Sequence, residues 1–453
     1  MSSAMTTLIF LLVDIAAVAA GILAVLAIGR AGWSPRAQAL GILALCGAAA
    51  LFIFATSEPQ ARFGDFRDAY YLGGAAALSG PAAFASLFDQ GVHGWVNLPI
   101  VAYLFAPFAL LPARESAFVF SLLGLLPVAL AWHLLSRLAG LEGRDRWLLL
   151  FLFAVSGPLH YSVKEANTSH MVLAGLAGGL LLLRTGRHLA AGLLLGAMAV
   201  IKLPLLLFGV AFVLRRNWRA AFGFAAICGA AGLLSLAVFG LDLHLLWYER
   251  CVRQFASNPL GAFNVQSIPA LLVRLAEGPA VLRDWDAHEI AATQRLAGSA
   301  LTGLLYLAAL VVCARRLPGP HRAGSAAARE RTDIEFLLVV CLTVIGSPLS
   351  WSHYYVWLLM PIAFLLGPDS LLRGTAAGRR MAWVAIFLIT PTVLLLEIPN
   401  PTLMMVYNAI GVSHLMFGGL LLFALLVRAR ARLGMAAPPL SRVEERAGAP
   451  ARS

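Results

Sequence analysis

Two aspartates, Asp65 and Asp68, stand three residues apart in GDFRDAYY, just past an apolar run, and would share a face if that segment is helical. A carboxylate at an apolar boundary is partly desolvated, which raises its pKa and suits it to general-base work. An interfacial helix cap, or ion pairs with Arg62 or Arg67, accounts for the same residues without chemistry. The chain holds only two lysines, Lys164 and Lys202, against 32 arginines, and both fall at the ends of apolar runs. An ammonium beside an apolar cavity is a compact point charge for a phosphate, although snorkelling at a helix end needs no ligand. His353 lies in SPLSWSHYYVWLLMP, flanked by Trp351, Tyr354 and Tyr355. A histidine there can donate to an anionic leaving group, or satisfy a backbone carbonyl within an interfacial aromatic belt. The stretch 241–295 adds His244, Glu249, Arg250, Arg253, Asn264, Gln266 and Arg274, which suit a binding surface but show no catalytic spacing. Of these, Arg250 and Gln266 are the substrate-binding candidates.

The elements that position these groups follow from hydropathy. Hydrophobic residues make up 60% of the 453 and charged residues 12%, far from a soluble domain. Backbone amides in lipid must be bonded within a helix, so runs of about 20 apolar residues read as transmembrane helices. Spans are expected near 8–28, 38–56, 116–137, 147–162, 170–184, 188–202, 203–215, 219–240, 296–314, 334–349, 353–367, 381–397 and 404–427. That makes an all-α polytopic membrane protein with about 13 helices, several of them short.

Charge gives the orientation. The breaks at 29–37, 137–147, 184–188, 215–219, 315–333, 368–380 and 428–453 together hold 24 of the 34 Lys+Arg but 7 of the 22 Asp+Glu. Basic residues collect on the cytoplasmic side, so those breaks are read as inside. The N-terminus is then outside and the C-terminus cytoplasmic. MSSAMTT carries no basic residue while Arg30 and Arg36 follow, so the first helix reads as retained rather than as a signal peptide. The apolar stretch at 98–112 is read as lying in or dipping into the membrane surface, because a span there would invert every later break. Residues 1–427 form one integral-membrane unit, with 57–115 and 241–295 as its large outer loops. Residues 428–453 read as a basic, disordered cytoplasmic tail.

Several classes fall away. The basic excess reflects sidedness rather than a charged face for nucleic acid. There is no phosphate-binding G-x-x-x-x-G-K-[ST], no dinucleotide G-x-G-x-x-G after a strand, and no H-E-x-x-H. Five cysteines show no C-x-x-C pair, so neither a disulfide framework nor a zinc site is implied. No cofactor is expected; a divalent metal has no ligand cluster to argue for it.

Taken in order, GDFRDAYY, NLPIVAYLFAPFALLP, the run from KEANTSHMV to AVIKLPLLL, NVQSIPALLVRL and SPLSWSHYYVWLLMP resemble glycosyltransferase family 87 from about Gly64 to Pro361. These are integral-membrane enzymes of the GT-C class, related to polyprenol-phosphate-mannose-dependent mannosyltransferases. The resemblance implies a GT-C-like helical bundle that moves a hexose from a polyprenyl-phosphate sugar to a lipid or glycan acceptor on the outer face of a bacterial plasma membrane. It implies inversion at the anomeric carbon, with the aspartate before Phe66, Asp65, as base. By the same matching Lys202 falls on a Lys-x-Pro block and His353 on a Ser-Trp-x-His block, both implied to serve the phosphate leaving group, with Lys164 a further candidate. Where the family shows Gly-Gln-x-Asn, this chain has Lys164, Glu165, Ala166 and Asn167, so only Asn167 matches and joins Asp68 as a substrate-binding candidate. Where the family often has Tyr-Pro-Pro-Leu, the chain has Asn97, Leu98, Pro99 and Ile100. The rival from another class is a transporter or flippase of a lipid-linked substrate, with Asp14, Glu335 and Glu397 on a proton path. Transporters commonly show inverted repeats, and none is evident between the halves.

Overall fold

The computed structural model describes residues 16–433 apart from 17, 31–32, 57–61, 316–324, 369, 371–373, 396–397 and 399. Apolar runs that must close their own hydrogen bonds become helices, and helices make up 80% of the described chain. The first half holds α1 (Val18–Ile28) and α2 (Pro35–Thr56), then α3 (Leu72–Ser79), α4 (Pro81–Phe88), α5 (Ala113–Leu138), α6 (Gly143–Ala154) and α7 (Gly157–Lys164). Next come α8 (Ser169–Arg184), α9 (His188–Ile201), α10 (Leu207–Leu214), α11 (Trp218–Trp247), the single turn α12 (Gln254–Ser257) and α13 (Ile268–Glu277). The chain continues through α14 (Ala292–Ala314), α15 (Ala326–Ile345), α16 (Leu359–Leu366), α17 (Ala376–Ile389), α18 (Pro401–Ala409) and α19 (His414–Leu433).

Among the described residues, four helical stretches are long and apolar enough to cross a membrane: 113–138, 218–256, 292–314 and 401–433. A fifth results if α6 and α7, bent by 48°, count as one broken span. The single span expected at 147–162 is thus two helices. Ser156 accepts a hydrogen bond from the Leu159 amide (3.3 Å) and Pro158 sits in the first turn of α7, so the chain restarts there. Pro204 acts similarly after α9: the expected span 203–215 is a 3-10 turn, Leu203–Leu206, followed by the short α10. The apolar stretch 98–112 forms two 3-10 turns, Pro99–Leu104 and Phe108–Leu110, rather than a span. Helix α19 continues to Leu433, six residues into the segment read as tail; 434–453 lie outside the described residues.

Glycine sets how closely the helices approach. A Cβ on Gly192 of α9 would strike the Ala220 carbonyl of α11, and one on Gly223 of α11 would strike the Leu189 carbonyl. Small residues let backbones touch where lipid supplies no hydrophobic drive between helices.

Ion pairs join the breaks assigned to one side. Arg184 grips Asp333 through two bonds of 2.6 Å, while Glu335 receives Arg215 (2.9 Å), Arg331 (3.0 Å) and Arg430 (2.8 Å). Arg430 is fully buried. Glu335, a candidate for a proton path, is therefore engaged by three arginines; Asp14 and Glu397 lie outside the described residues. At the other pole the segment 62–112 packs against the C-terminal half of α11, from Ser235 onward. Trp247 donates to the Val96 carbonyl (3.2 Å), the Ile100 amide donates to Ser235 (3.2 Å), and Phe84 meets Phe239 at 5.1 Å. An aromatic core of Phe66, Tyr70, Phe84, Trp95, Phe105 and Phe120 underlies this cap.

Removing one partner of a buried ionic network leaves the others uncompensated. Glu335→Gln is expected to destabilise the purified protein by about 3–5 kcal/mol, read as a large drop in Tm in detergent, with Glu335→Asp intermediate.

Candidate active site

Six parts of the chain read as lying on one face converge on a single cavity of about 200 Å³. They are the segment 64–70, the loop 92–97, the turn near 161–167, Lys202 at the end of α9, the loop around 264–285, and the stretch 351–354. Asp65, Asp68, Asn167, Lys202 and His353 all border it.

The position of Asp65 is set by a backbone staple. The Phe63 amide donates to the Lys164 carbonyl (2.7 Å), the Phe66 amide to the Glu165 carbonyl (3.1 Å), and the Gly64 amide to the Glu165 carboxylate (3.1 Å). Helix α7 ends beside it with the Asn167 amide on the Ser162 carbonyl (2.8 Å) and the Ala166 amide on the Val163 carbonyl (3.0 Å). Such an ending places its residue after the cap in the left-handed region, normally as glycine. Here it is Ala166, at φ +49°, and Phe63 opposite is at φ +63°. Left-handed non-glycine residues cost about 1–3 kcal/mol and gather at functional sites.

Asn167 is oriented by Ser169. Its carbonyl oxygen accepts from the Ser169 amide (3.0 Å) and hydroxyl (2.8 Å), which turns its NH₂ onto an Asp65 oxygen at 2.6 Å. After Asp65 the chain forms a π-helical turn, Phe66–Tyr71, that carries Asp68, Ala69 and Tyr70 to the same cavity. Burial pushes the Asp65 carboxyl above the usual carboxylate range, while the Asn167 hydrogen bond and then the Lys202 ammonium draw it back. Burial, and then the charge of Asp65, lift the Glu165 carboxyl to about 7 against its partner Lys164.

Lys202 enters where Pro204 breaks the helix. It is buried, donates to the Tyr70 hydroxyl (3.3 Å) and sits 5.2 Å from the centre of the Tyr354 ring. Tyr70, stacked on Phe105 at 4.5 Å, also meets Thr168 at 3.4 Å. His353 is buried between two rings, Tyr161 and Trp351, each 6.2 Å away and nearly parallel. Neither ring nitrogen of His353 has a hydrogen-bond partner. A buried polar group left open towards a cavity is costly unless something polar occupies it. Its neighbour Asn264 arrives through a short antiparallel contact of Val265 with Trp351, donates to the Tyr161 hydroxyl (3.0 Å), and accepts from the Trp285 indole (3.0 Å).

Three candidates stand elsewhere. Lys164 pairs with Glu165 at 3.4 Å and lies over the Tyr161 ring, outside the lining. Gln266 is buried with its NH₂ shared by the Phe263 and Val412 carbonyls (both 2.8 Å), a structural clamp. Arg250 is exposed and reaches Asp89 at 3.5 Å. Tyr70, His93, Asn97, Glu165, Asn264 and Trp285 also line the cavity. Sequence reasoning gave none of them an individual role, though Asn264 is among the loop residues read as a binding surface, Tyr70 stands in the first quoted block, and Asn97 and Glu165 stand at departures from the family pattern.

A carboxylate, a buried lysine and a histidine with no hydrogen-bond partner border one cavity of an apolar helical bundle, a combination that suits group transfer. The family model of glycosyltransferase family 87 matches residues 95–348, more than half of the chain, and the protein belongs to that family. It is a membrane glycosyltransferase. Asp65 and His353 flank the matched stretch, and Lys202 falls inside it. The chain is 28% identical, over 69% of its length and 72% of the relative's, to a polyprenol-phosphate-mannose-dependent alpha-(1-2)-phosphatidylinositol pentamannoside mannosyltransferase of Mycolicibacterium smegmatis. It is also 28% identical, over 66% of its length and 69% of the relative's, to a polyprenol-phosphate-mannose-dependent alpha-(1-2)-phosphatidylinositol mannoside mannosyltransferase of Mycobacterium tuberculosis. No solved structure gives a significant match.

A donor to a carboxylate favours its charged form, so losing it raises the pKa. Asn167→Leu is expected to raise the pKa of Asp65, and with it the ascending limb of any activity–pH profile that requires the Asp65 carboxylate. Glu165→Gln is expected to move the ascending limb the other way, to lower pH, because a neutral neighbour no longer opposes ionisation of Asp65. Unchanged profiles in both variants would separate these residues from the reaction.

Proposed function

We propose that the protein transfers a mannose-like hexose from a polyprenyl-phosphate sugar to a hydroxyl of a lipid or glycan acceptor, by a single inverting displacement. The observation that carries this reading is one cavity holding a hydrogen-bonded carboxylate, Asp65, together with a buried ammonium, Lys202, and an open imidazole, His353. Asp65 takes the proton of the acceptor hydroxyl as its oxygen attacks the anomeric carbon. The bond from that carbon to the phosphate oxygen breaks, and its electron pair leaves with the polyprenyl phosphate. Lys202 and a protonated nitrogen of His353 meet the charge that develops on that phosphate, where preorganised donors act most strongly. Asn167 keeps Asp65 aimed, Asp68 borders the space for the acceptor, and Lys164 acts through Glu165. The names of the mycobacterial relatives support both the donor and a glycolipid acceptor.

The donor arrives already activated and its phosphate is met by side chains, so we assign no cofactor; transfer is expected to persist in EDTA. Residues 1–427 act as one catalytic unit of about 13 spans in a bacterial plasma membrane, with the cavity on the outer face, the N-terminus outside and the C-terminus cytoplasmic. The charge distribution among the breaks supports this orientation. A reporter active only outside the cytoplasm should give signal when fused after residue 62 and none after residue 325.

With purified protein and polyprenyl-phosphate mannose, Asp65→Asn is expected to abolish transfer, by about 10²-fold or more, while the protein stays folded and inserted. Lys202→Ala should chiefly raise the KM for the donor. Full activity in Asp65→Asn would remove this residue as the base and the mechanism with it.

A further inference from the structure

The cavity lining divides by exposure. Lys202, His353 and Tyr354 are buried, whereas Asp68 and His93 are exposed and Asn97 and Trp285 partly so. Asp65, half-buried, belongs to neither extreme. We infer that the exposed part of the lining is the acceptor's pyranoside subsite, with the face of Trp285 stacked on the sugar ring and Asp68, His93 and Asn97 meeting its hydroxyls.

The argument starts from how Trp285 is held. Its indole N–H donates to the Asn264 oxygen at 3.0 Å, and the NH₂ of Asn264 is committed to the Tyr161 hydroxyl. The polar edge of the indole is therefore spent, and what it can offer to the cavity is ring surface. His93 and Phe263 meet it edge-on, at 5.6 Å and 6.1 Å, and fix its plane. The segment carrying it is pinned on both sides. The Phe263 amide donates to the Leu282 carbonyl (3.0 Å), the His288 amide to the Pro259 carbonyl (3.0 Å), and the His288 ring reaches Glu277 at 3.0 Å. A rigid, partly exposed aromatic face beside a carboxylate, an amide and an imidazole complements a pyranose, which has an apolar C–H face and a rim of hydroxyls. Placing the acceptor there puts its attacking hydroxyl between Trp285 and Asp65, with the phosphate groups beyond. A single displacement needs this order of base, anomeric carbon and leaving group.

This subsite rests on the transfer reading above, so it is tested by binding as well as by turnover. Saturation-transfer NMR with the full-length protein in detergent and methyl α-D-mannopyranoside, methyl α-D-glucopyranoside or methyl α-D-galactopyranoside should show contact at ring C–H protons for at least one glycoside. The signal should be lost in Trp285→Ala and kept in Trp285→Phe. In assays with polyprenyl-phosphate mannose, Trp285→Ala should raise the KM for that glycoside by roughly tenfold, about 1.4 kcal/mol, and leave the donor KM within twofold. No saturation transfer to the wild-type protein, or equal loss in Trp285→Phe and Trp285→Ala, overturns the subsite. So does a rise confined to the donor KM. Retained glycoside binding without any mannosyl transfer supports the subsite and sinks the transfer reading instead.

Discussion

The site depends on a staple between two segments about a hundred residues apart. Three hydrogen bonds tie residues 63–66 to the turn 164–165, and the Asn167 amide then closes on Asp65 at 2.6 Å. Each side of the staple contains a left-handed non-glycine residue, Phe63 or Ala166. Relaxing either would swing its partner away, and the hydrogen bonds that hold both in this conformation are what fix the carboxylate. Everything the cavity can do presupposes that Asp65 faces Lys202 rather than the lipid.

The two poles of the bundle treat buried charge differently. At one pole Glu335 is saturated by three arginines and Asp333 is gripped twice by Arg184, leaving those acids nothing to offer a ligand. At the other, Asp65 receives one side-chain hydrogen bond, and both His353 nitrogens are open. Saturation serves cohesion; incomplete pairing leaves capacity for a substrate. The same apolar surroundings that make unpaired groups expensive also make their interaction with a developing charge strong.

Much of this was legible in residue types and order. Apolar runs located most helices, and Asp65, Asp68, Lys202 and His353, found far apart in sequence, come together at one cavity. What stayed hidden was set by local geometry that composition does not carry. Ser156 with Pro158, and Pro204, break runs that hydropathy reads as continuous, because a cap or a missing N–H costs an apolar sequence nothing in average hydropathy. The end of α7 carries Ala166 where the motif favours glycine, so the turn that aims Asn167 had no signal. Gln266 and Arg250 read in sequence as polar loop residues, yet one clamps backbone carbonyls and the other meets a surface carboxylate. Trp285 gives no sign of a role in sequence, since only the fold brings it to the cavity wall, against Asn264 and His93.

Glu165 shows how one departure from the family pattern changes the electrostatics without changing the scaffold. Glutamine at this place would still accept the Gly64 amide, so the staple does not require a carboxylate. A carboxylate does add a second titrating group beside Asp65, lifted by burial and by that neighbour's charge to about 7. Two coupled carboxyls are harder to ionise together than apart, and their protonation then belongs to the pair. Lys164, unusual in a chain that otherwise uses arginine, offsets part of this from 3.4 Å. The Lys164–Glu165 pair therefore adds a titratable charge beside Asp65, with Glu165 on the cavity wall and Lys164 behind it.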